Sequence, residues 1–315
     1  MSRREPLLEP RHLPGGVADP AGAAGYLADP PGIVAVALRD GRPLWRSPAA
    51  QTALLSDGKR LFAARARPPN ALEVVVLDVR RGGELVLTSD PVALPAWAAE
   101  PSRGRARIEG PRLRLEWEAS ARYTGGAPPP PHILRQAIHD IVGAALVDLK
   151  SGAVMPLAVE TAPPAFRRPP LQPEDAGGPW LAGATVVRLV WKIDGDRQTL
   201  SLEQAEPLKV RRLARGRGLV ADVTPDGRHV FVRTEPPPAR RDAWSIFAAP
   251  SGRRVATVTH DAGARAPAIV GDRAFYLVES PARRALRARD LATDTLAWEL
   301  PLVARPAGPA PRPRQ

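Results

Sequence analysis

One pattern, repeated at a near-constant interval, limits what this chain can fold into. Two copies stand about forty residues apart between Ile33 and Leu87. The first reads IVAVALRDGRPLW, with Gly41 followed four residues later by Trp45. The second reads LEVVVLDVRRGGELVL, with Asp78 followed four residues later by Gly82. Between them LLSDGKRLFAAR turns at Asp57-Gly58. Each copy joins a β-branched run to a tight turn. An Asp there can accept hydrogen bonds from turn amides, and a Gly supplies the left-handed φ that closes the turn. The bulky residue that follows suits a gap between neighbouring repeats. One such unit cannot bury its apolar face alone, so neighbours must complete the core.

The fullest copy lies near the C-terminus, in ALRARDLATDTLAWEL. It gives Ala288, Asp290, Thr293, Asp294 and Trp298 in order. Partial copies hold Asp148, Ser151 and Gly152 with Pro156 at the Trp place, Asp78 and Gly82 with Val86 there, Gly41 and Trp45 with Ala37 at the Asp place, and Ser251 and Gly252 between Ala248 and Ala256. This resembles the blade signature of the pyrroloquinoline-quinone-like (quinoprotein dehydrogenase-like) β-propeller repeat, Ala-x-Asp-x-x-Thr-Gly-x-x-x-Trp, with Asp294 in place of the Gly. The resemblance implies an all-β chain forming a single β-propeller of four-stranded blades. Ala37 and Asp78 are 41 residues apart, and Ala248 and Asp290 are 42 apart, about one blade each. The intervals of 70 residues from Asp78 to Asp148 and 100 from Asp148 to Ala248 fit one blade with an insertion, then two blades. Six blades are visible. Seven are expected, with six or eight as alternatives.

Along the chain, residues 1–18 are expected to be a flexible arm, since Pro6, Pro10 and Pro14 break any helix. The propeller is expected over 19–303, and 304–315 as a disordered tail. RLRLEWEA alternates Leu113, Leu115 and Trp117 against Arg112, Arg114, Glu116 and Glu118, a strand with one charged face. Hairpins are expected at Asp194-Gly195 and Asp226-Gly227. Residues 161–180 read as a Pro-rich loop. In YTGGAPPPPHILRQAIHDIVG, two glycines and four prolines precede apolar residues at helical spacing, so a short helical insertion is expected over about 124–141.

The chain has no cysteine, which excludes thiolate catalysis and Cys-ligated zinc. No apolar run approaches the roughly 18 residues of a membrane span, and no apolar run follows the basic N-terminus, so a cytoplasmic protein with no membrane association is expected. The net charge is +12, and 41 of the 45 basic residues are Arg, as coding bias produces. Such a surface attracts polyanions, yet no recognition helix or RNA-binding aromatic motif accompanies it, so specific nucleic-acid binding is not expected. Asp194 and Asp196 start like a calcium loop, but Thr199 and Ala205 stand where its Gly and Glu would be. His132 and His139 lack the spacing of a helical zinc site.

Quinone-dependent dehydrogenases of the resembled family use a vicinal cysteine pair and a calcium-bound quinone; neither carries over, and no cofactor or metal is expected. The adopted reading is a monomeric, non-catalytic scaffold for protein–protein interaction, with an unidentified protein partner at one propeller face. The alternatives are an enzyme, a hydrolase or lyase with a site at the central channel, and a weak polyanion or nucleic-acid binder. The insertion offers the expected contact residues Arg122, Tyr123, His132 and Arg135.

Overall fold

Strands account for all regular structure among the residues that the computed structural model describes, 10–94, 98–121, 140–157, 179–233, 241–261, 267–280 and 283–303. They form six antiparallel sheets in chain order. The first holds β1 (Arg11–Leu13), β2 (Gly16–Ala18), β3 (Ala24–Asp29), β4 (Gly32–Ala37) and β5 (Pro43–Ser47). In the second, β6 (Thr52–Ser56), β7 (Arg60–Arg67) and β8 (Ala71–Asp78) pair in turn, and both β9 (Glu84–Thr88) and β10 (Val92–Ala93) pair with β8. The third is β11 (Ala98–Glu109), β12 (Arg112–Ala121), β13 (Asp140–Asp148) and β14 (Val154–Leu157). The fourth is β15 (Trp180–Ala182), β16 (Thr185–Asp194), β17 (Arg197–Gln204) and β18 (Lys209–Gly216). The fifth is β19 (Val220–Val223), β20 (His229–Arg233), β21 (Arg241–Ala248) and β22 (Arg253–Asp261). The sixth is β23 (Ala268–Val270), β24 (Arg273–Ser280), β25 (Arg283–Asp290) and β26 (Thr295–Leu302).

The chain divides into two compact units, Met1–Arg168 with the first three sheets and Pro169–Gln315 with the last three. Within each, the core lies between consecutive sheets. Side chains alternate along a strand, and the second sheet is apolar on both faces. Leu61, Ala63, Val75 and Leu77 pack with Val17, Tyr26, Ile33 and Ala35 of the first sheet. Phe62, Ala64, Val74 and Val76 pack with Leu113, Leu115, Trp117 and Val147 of the third. This explains why Val74, Val75, Val76 and Leu77 read as an unbroken apolar run. The fifth sheet does the same in the second unit: Val230 and Val232 meet Leu189, Leu200 and Leu202, while Phe231 and Trp244 join Ala274 and Tyr276. Each fully buried Leu or Phe contributes about 1.5–3 kcal/mol, and those in these clusters depend on the neighbouring sheet. Antiparallel sheets, taken in chain order and stacked face on face within each unit, are consistent with a β-propeller.

Several expectations need correction. Residues 11–18, placed in an arm, form β1 and β2. Pro14 and Gly15 make the two-residue turn between them, with φ 83° at Gly15, and Leu13, Val17 and Ala18 are buried. Proline breaks helices but fits this turn. Of the helical insertion expected over about 124–141, residues 124–139 lie outside the described residues, and the last two, Asp140 and Ile141, begin β13 opposite Ser120 and Ala119. Most of the 161–180 loop is also outside the described residues, whereas Trp180 starts β15. The hairpin at Asp194 turns one residue later than expected, over Gly195 and Asp196, with φ 60° at Gly195. On β12, Glu116 is buried and paired with Arg114 at 3.0 Å, so the expected charged face is partly internal.

Candidate functional site

The repeated turn is the chemical unit from which the site is built. Ala37, Asp78, Asp148, Ala248 and Asp290 end β4, β8, β13, β21 and β25. The amides of Gly41, Gly152, Gly252 and Asp294 donate to the carbonyls four residues back, at 2.8–3.0 Å. Asp294 takes φ 55°, the one positive φ among the described non-glycine residues, so it keeps the backbone of the Gly it replaces. In the second sheet Gly83, not Gly82, closes the ring to Asp78, at 2.9 Å. The turn is one residue longer, and Leu87 rather than Val86 stands opposite Val76, as Trp45 stands opposite Ala35 and Trp298 opposite Ala288.

Each carboxylate commits one oxygen to its own turn. Asp78 accepts the amides of Arg80 and Arg81 at 2.8 and 3.1 Å. Asp148 accepts those of Lys150 and Ser151 at 3.0 and 2.9 Å, and Asp290 those of Ala292 and Thr293, both at 2.9 Å. The Ser151 amide, followed by its hydroxyl, holds Asp148 below the usual carboxylate range, and the amides of Thr293 and Ala292 do the same for Asp290.

The turns also lock sheets together inside each unit. A Cβ on Gly83 would lie 2.6 Å from the Trp45 ring, and one on Gly252 would lie 3.0 Å from Cβ of Arg211. The Gly152 carbonyl accepts the Asp90 amide at 2.9 Å. Trp45 and Trp298 are half-buried, against Tyr26 and Phe275 respectively, with ring centroids 5.7 Å apart in both pairs.

At the turn end of the second sheet, Asp57, Lys59, Arg60, Asp78 and Arg80 line an open cleft. Asp57 accepts the amides of Lys59 and Arg60 at 2.9 and 2.6 Å and the Arg60 guanidinium at 2.9 Å. That guanidinium also lies 5.1 Å from the Phe62 ring centroid. Lys59 and Arg80 have no ion pair with a described residue. The cleft therefore presents two cations, while its two carboxylates are engaged in turns. Nothing in the repeat pattern marks Lys59 or Arg80; the Asp57-Gly58 turn just before Lys59 was the signal available.

Thr224, Asp226 and His229 have the residue types of a catalytic triad, in a different arrangement. The Thr224 hydroxyl donates to Asp226 at 2.6 Å and accepts the His229 backbone amide at 3.0 Å. This locks the β19–β20 turn, whose Gly227 carbonyl accepts the Trp180 indole N–H at 2.9 Å. Burial lowers the His229 pKa. Buried acids elsewhere are paired: Glu73 with Arg65 and Arg67 at 2.6 and 2.7 Å, and Asp29 with Arg46. Burial pushes Glu73 up, but the two guanidiniums outweigh it and hold it low. The expected contact residues Arg122, Tyr123, His132 and Arg135 lie outside the described residues, in the connection between β12 and β13. Among the described residues no helix is long and apolar enough to cross a membrane.

Comparison with protein-family models and with characterised proteins finds no match. Among solved structures, the chain is similar to the AtxE2 isopeptidase in its apo form, at 13% identity and a TM-score of 0.52, over 92% of this chain and 51% of that one. A variant of that isopeptidase with Astexin3-dC4 bound is matched at 14% identity and 0.51, over the same shares. This chain thus spans about half the length of the isopeptidase structures it matches. At such identity the likeness concerns the fold alone. The propeller of Dos1 is matched at 10% identity over 89% of this chain and 68% of that one, with a TM-score of 0.31 that carries no weight here.

Proposed function

We propose that this chain is a non-catalytic β-propeller scaffold for protein–protein interaction, whose partner presents an acidic surface to the cleft at the turn end of the second sheet. One observation carries the reading: Asp57 and Asp78 each commit one oxygen to turn amides, while Lys59 and Arg80 have no ion pair with a described residue. General acid–base catalysis most often uses an open imidazole or carboxylate, whereas this cleft presents cations. The reading takes the six described sheets as blades of one propeller. It includes kinship with the quinoprotein-like repeat, a monomeric state and a cytoplasmic location. Arg122, Tyr123, His132 and Arg135 belong to it as a second set of contact residues.

The test is cross-linking and affinity capture with the full chain, beside two variants. One carries Lys59→Glu with Arg80→Glu, and the other replaces residues 124–138 with a Gly-Ser turn. Circular dichroism and Tm establish that each variant is folded. A partner captured by the parent, cross-linked at the cleft and lost from the folded charge-reversed variant is the expected result. Partner capture unchanged in both variants would overturn the proposal. So would turnover of an ester, peptide or glycoside by the purified chain.

A further inference from the structure

We propose that β18 is a docking edge for an extended, Asp/Glu-rich peptide segment, which adds to the fourth sheet as a further strand. β18 pairs with β17 on one side and with no described strand on the other. Its eight residues, KVRRLARG, contain four cations and no acid. Lys209, Val210, Arg211, Arg212 and Arg215 are all exposed. None of the four cations has an ion pair with a described residue, whereas nearby Arg217 is paired with Asp196 and Arg188 with Glu203.

The register distributes these cations over both faces. Arg211 stands opposite Leu202 and shares the face that meets the fifth sheet. Arg212 and Arg215 stand opposite Ser201 and Thr199, on the other face. A bulge at Leu213 lets that residue pack into the core while keeping Arg212 and Arg215 together. An added strand sends its own side chains to both faces alternately, so a run of acidic residues meets a cation on either side. Backbone pairing supplies affinity in this mode, and side chains supply selection. Charged edge strands also serve to repel unwanted pairing. Lys and Arg repel other basic edges, but they attract an acidic one. The fit is to an extended polypeptide rather than to a nucleic acid, because the edge offers a ladder of amides and carbonyls in strand geometry.

The site is in the second unit and shares no residue with the cleft around Lys59, so either proposal can fail alone. The test uses the full chain and a fluorescein-labelled ten-residue peptide alternating Glu-Glu-Val. Two further probes are the same peptide with alternate amides N-methylated, which keeps its charge but blocks strand pairing, and a single-stranded oligonucleotide of equal charge. Anisotropy should show saturable binding, weakened about tenfold by Arg212→Glu with Arg215→Glu, given the modest value of each exposed ion pair. N-methylation should weaken it by at least as much, and hydrogen exchange should slow across residues 209–216. Equal binding of the N-methylated peptide or a preference for the oligonucleotide would reduce the edge to a polyanion patch and overturn the proposal. Absence of binding, or protection elsewhere in the chain, would overturn it as well.

Discussion

Adjacent glycines in the second sheet offer a controlled test of how the sheets lock together. Gly82 and Gly83 both have positive φ, 68° and 80°. A Cβ on Gly82 would meet nothing within 4 Å, whereas one on Gly83 would lie 2.6 Å from Cε3 and Cζ3 of Trp45. Left-handed backbone costs an L-residue about 1–2 kcal/mol, partly offset by about 0.4–1 kcal/mol from a less flexible unfolded chain. Gly82→Ala should therefore cost about 1 kcal/mol. Gly83→Ala carries the same strain and must also displace an indole by about 1 Å from its contact distance. Overpacking of this kind costs about 1–3 kcal/mol, for a total of about 2–4 kcal/mol. Urea unfolding followed by circular dichroism measures both, with an unchanged m-value as the condition for comparing them. Trp45→Leu in the Gly83→Ala background should recover about 1 kcal/mol as coupling. Equal losses for the two Ala variants, to within about 0.5 kcal/mol, would refute the wedge between the first two sheets.

Two other substitutions test the turn chemistry. Asp148 and Asp290 are held below their ordinary pKa, so their stabilisation is present above an unfolded value of about 3.9 and is lost as pH falls through the folded value. Asp148→Asn with Asp290→Asn should flatten the acid limb of the stability–pH curve below about pH 4; a limb identical to that of the parent would remove these turns from the acid response. At Asp294, Gly should change stability by less than about 1 kcal/mol, since relief of φ strain offsets the exposed pair with Arg289. Asp294→Val should lose about 2 kcal/mol, because a β-branched residue resists that φ, and thermal melts that rank Val above Gly would contradict the left-handed turn.

The repeat was legible where the turn uses side chains and illegible where it does not. Asp78, Asp148 and Asp290 announce their turns because their carboxylates bond turn amides. The fourth sheet closes instead through Ala205, Glu206, Pro207 and Leu208, and Gln204 donates its side-chain amide to the Glu206 carbonyl at 2.8 Å. No marker residue survives there, so that sheet left only a gap in the spacing. β18 was missed for a related reason. A strand rich in Arg with one buried Leu lacks the alternation that marks a half-buried strand. β1 and β2 were hidden by prolines that exclude helix but suit a hairpin turn.

The partnering of the arginines bears on whether the basic charge is more than coding bias. Bias would scatter Arg without regard to acids. On β25, Arg283 and Arg287 share Glu299, and Arg289 pairs with Asp294. On β7, Arg65 and Arg67 converge on the buried Glu73. These guanidiniums are neutralised within their own sheets, and their charge projects little beyond a Debye length of about 8 Å at physiological ionic strength. Lys59, Arg80 and the four cations of β18 differ in kind, since the nearest acids are engaged in turns or absent from the strand. Exposed cations without an ion pair to a described residue also stand elsewhere, Arg42, Arg112, Arg197, Arg228, Arg253 and Arg254 among them, so what sets the cleft and β18 apart is their clustering on one turn end and one strand edge. Clustered cations act together on an acidic partner within a Debye length, whereas a lone exposed Arg does not.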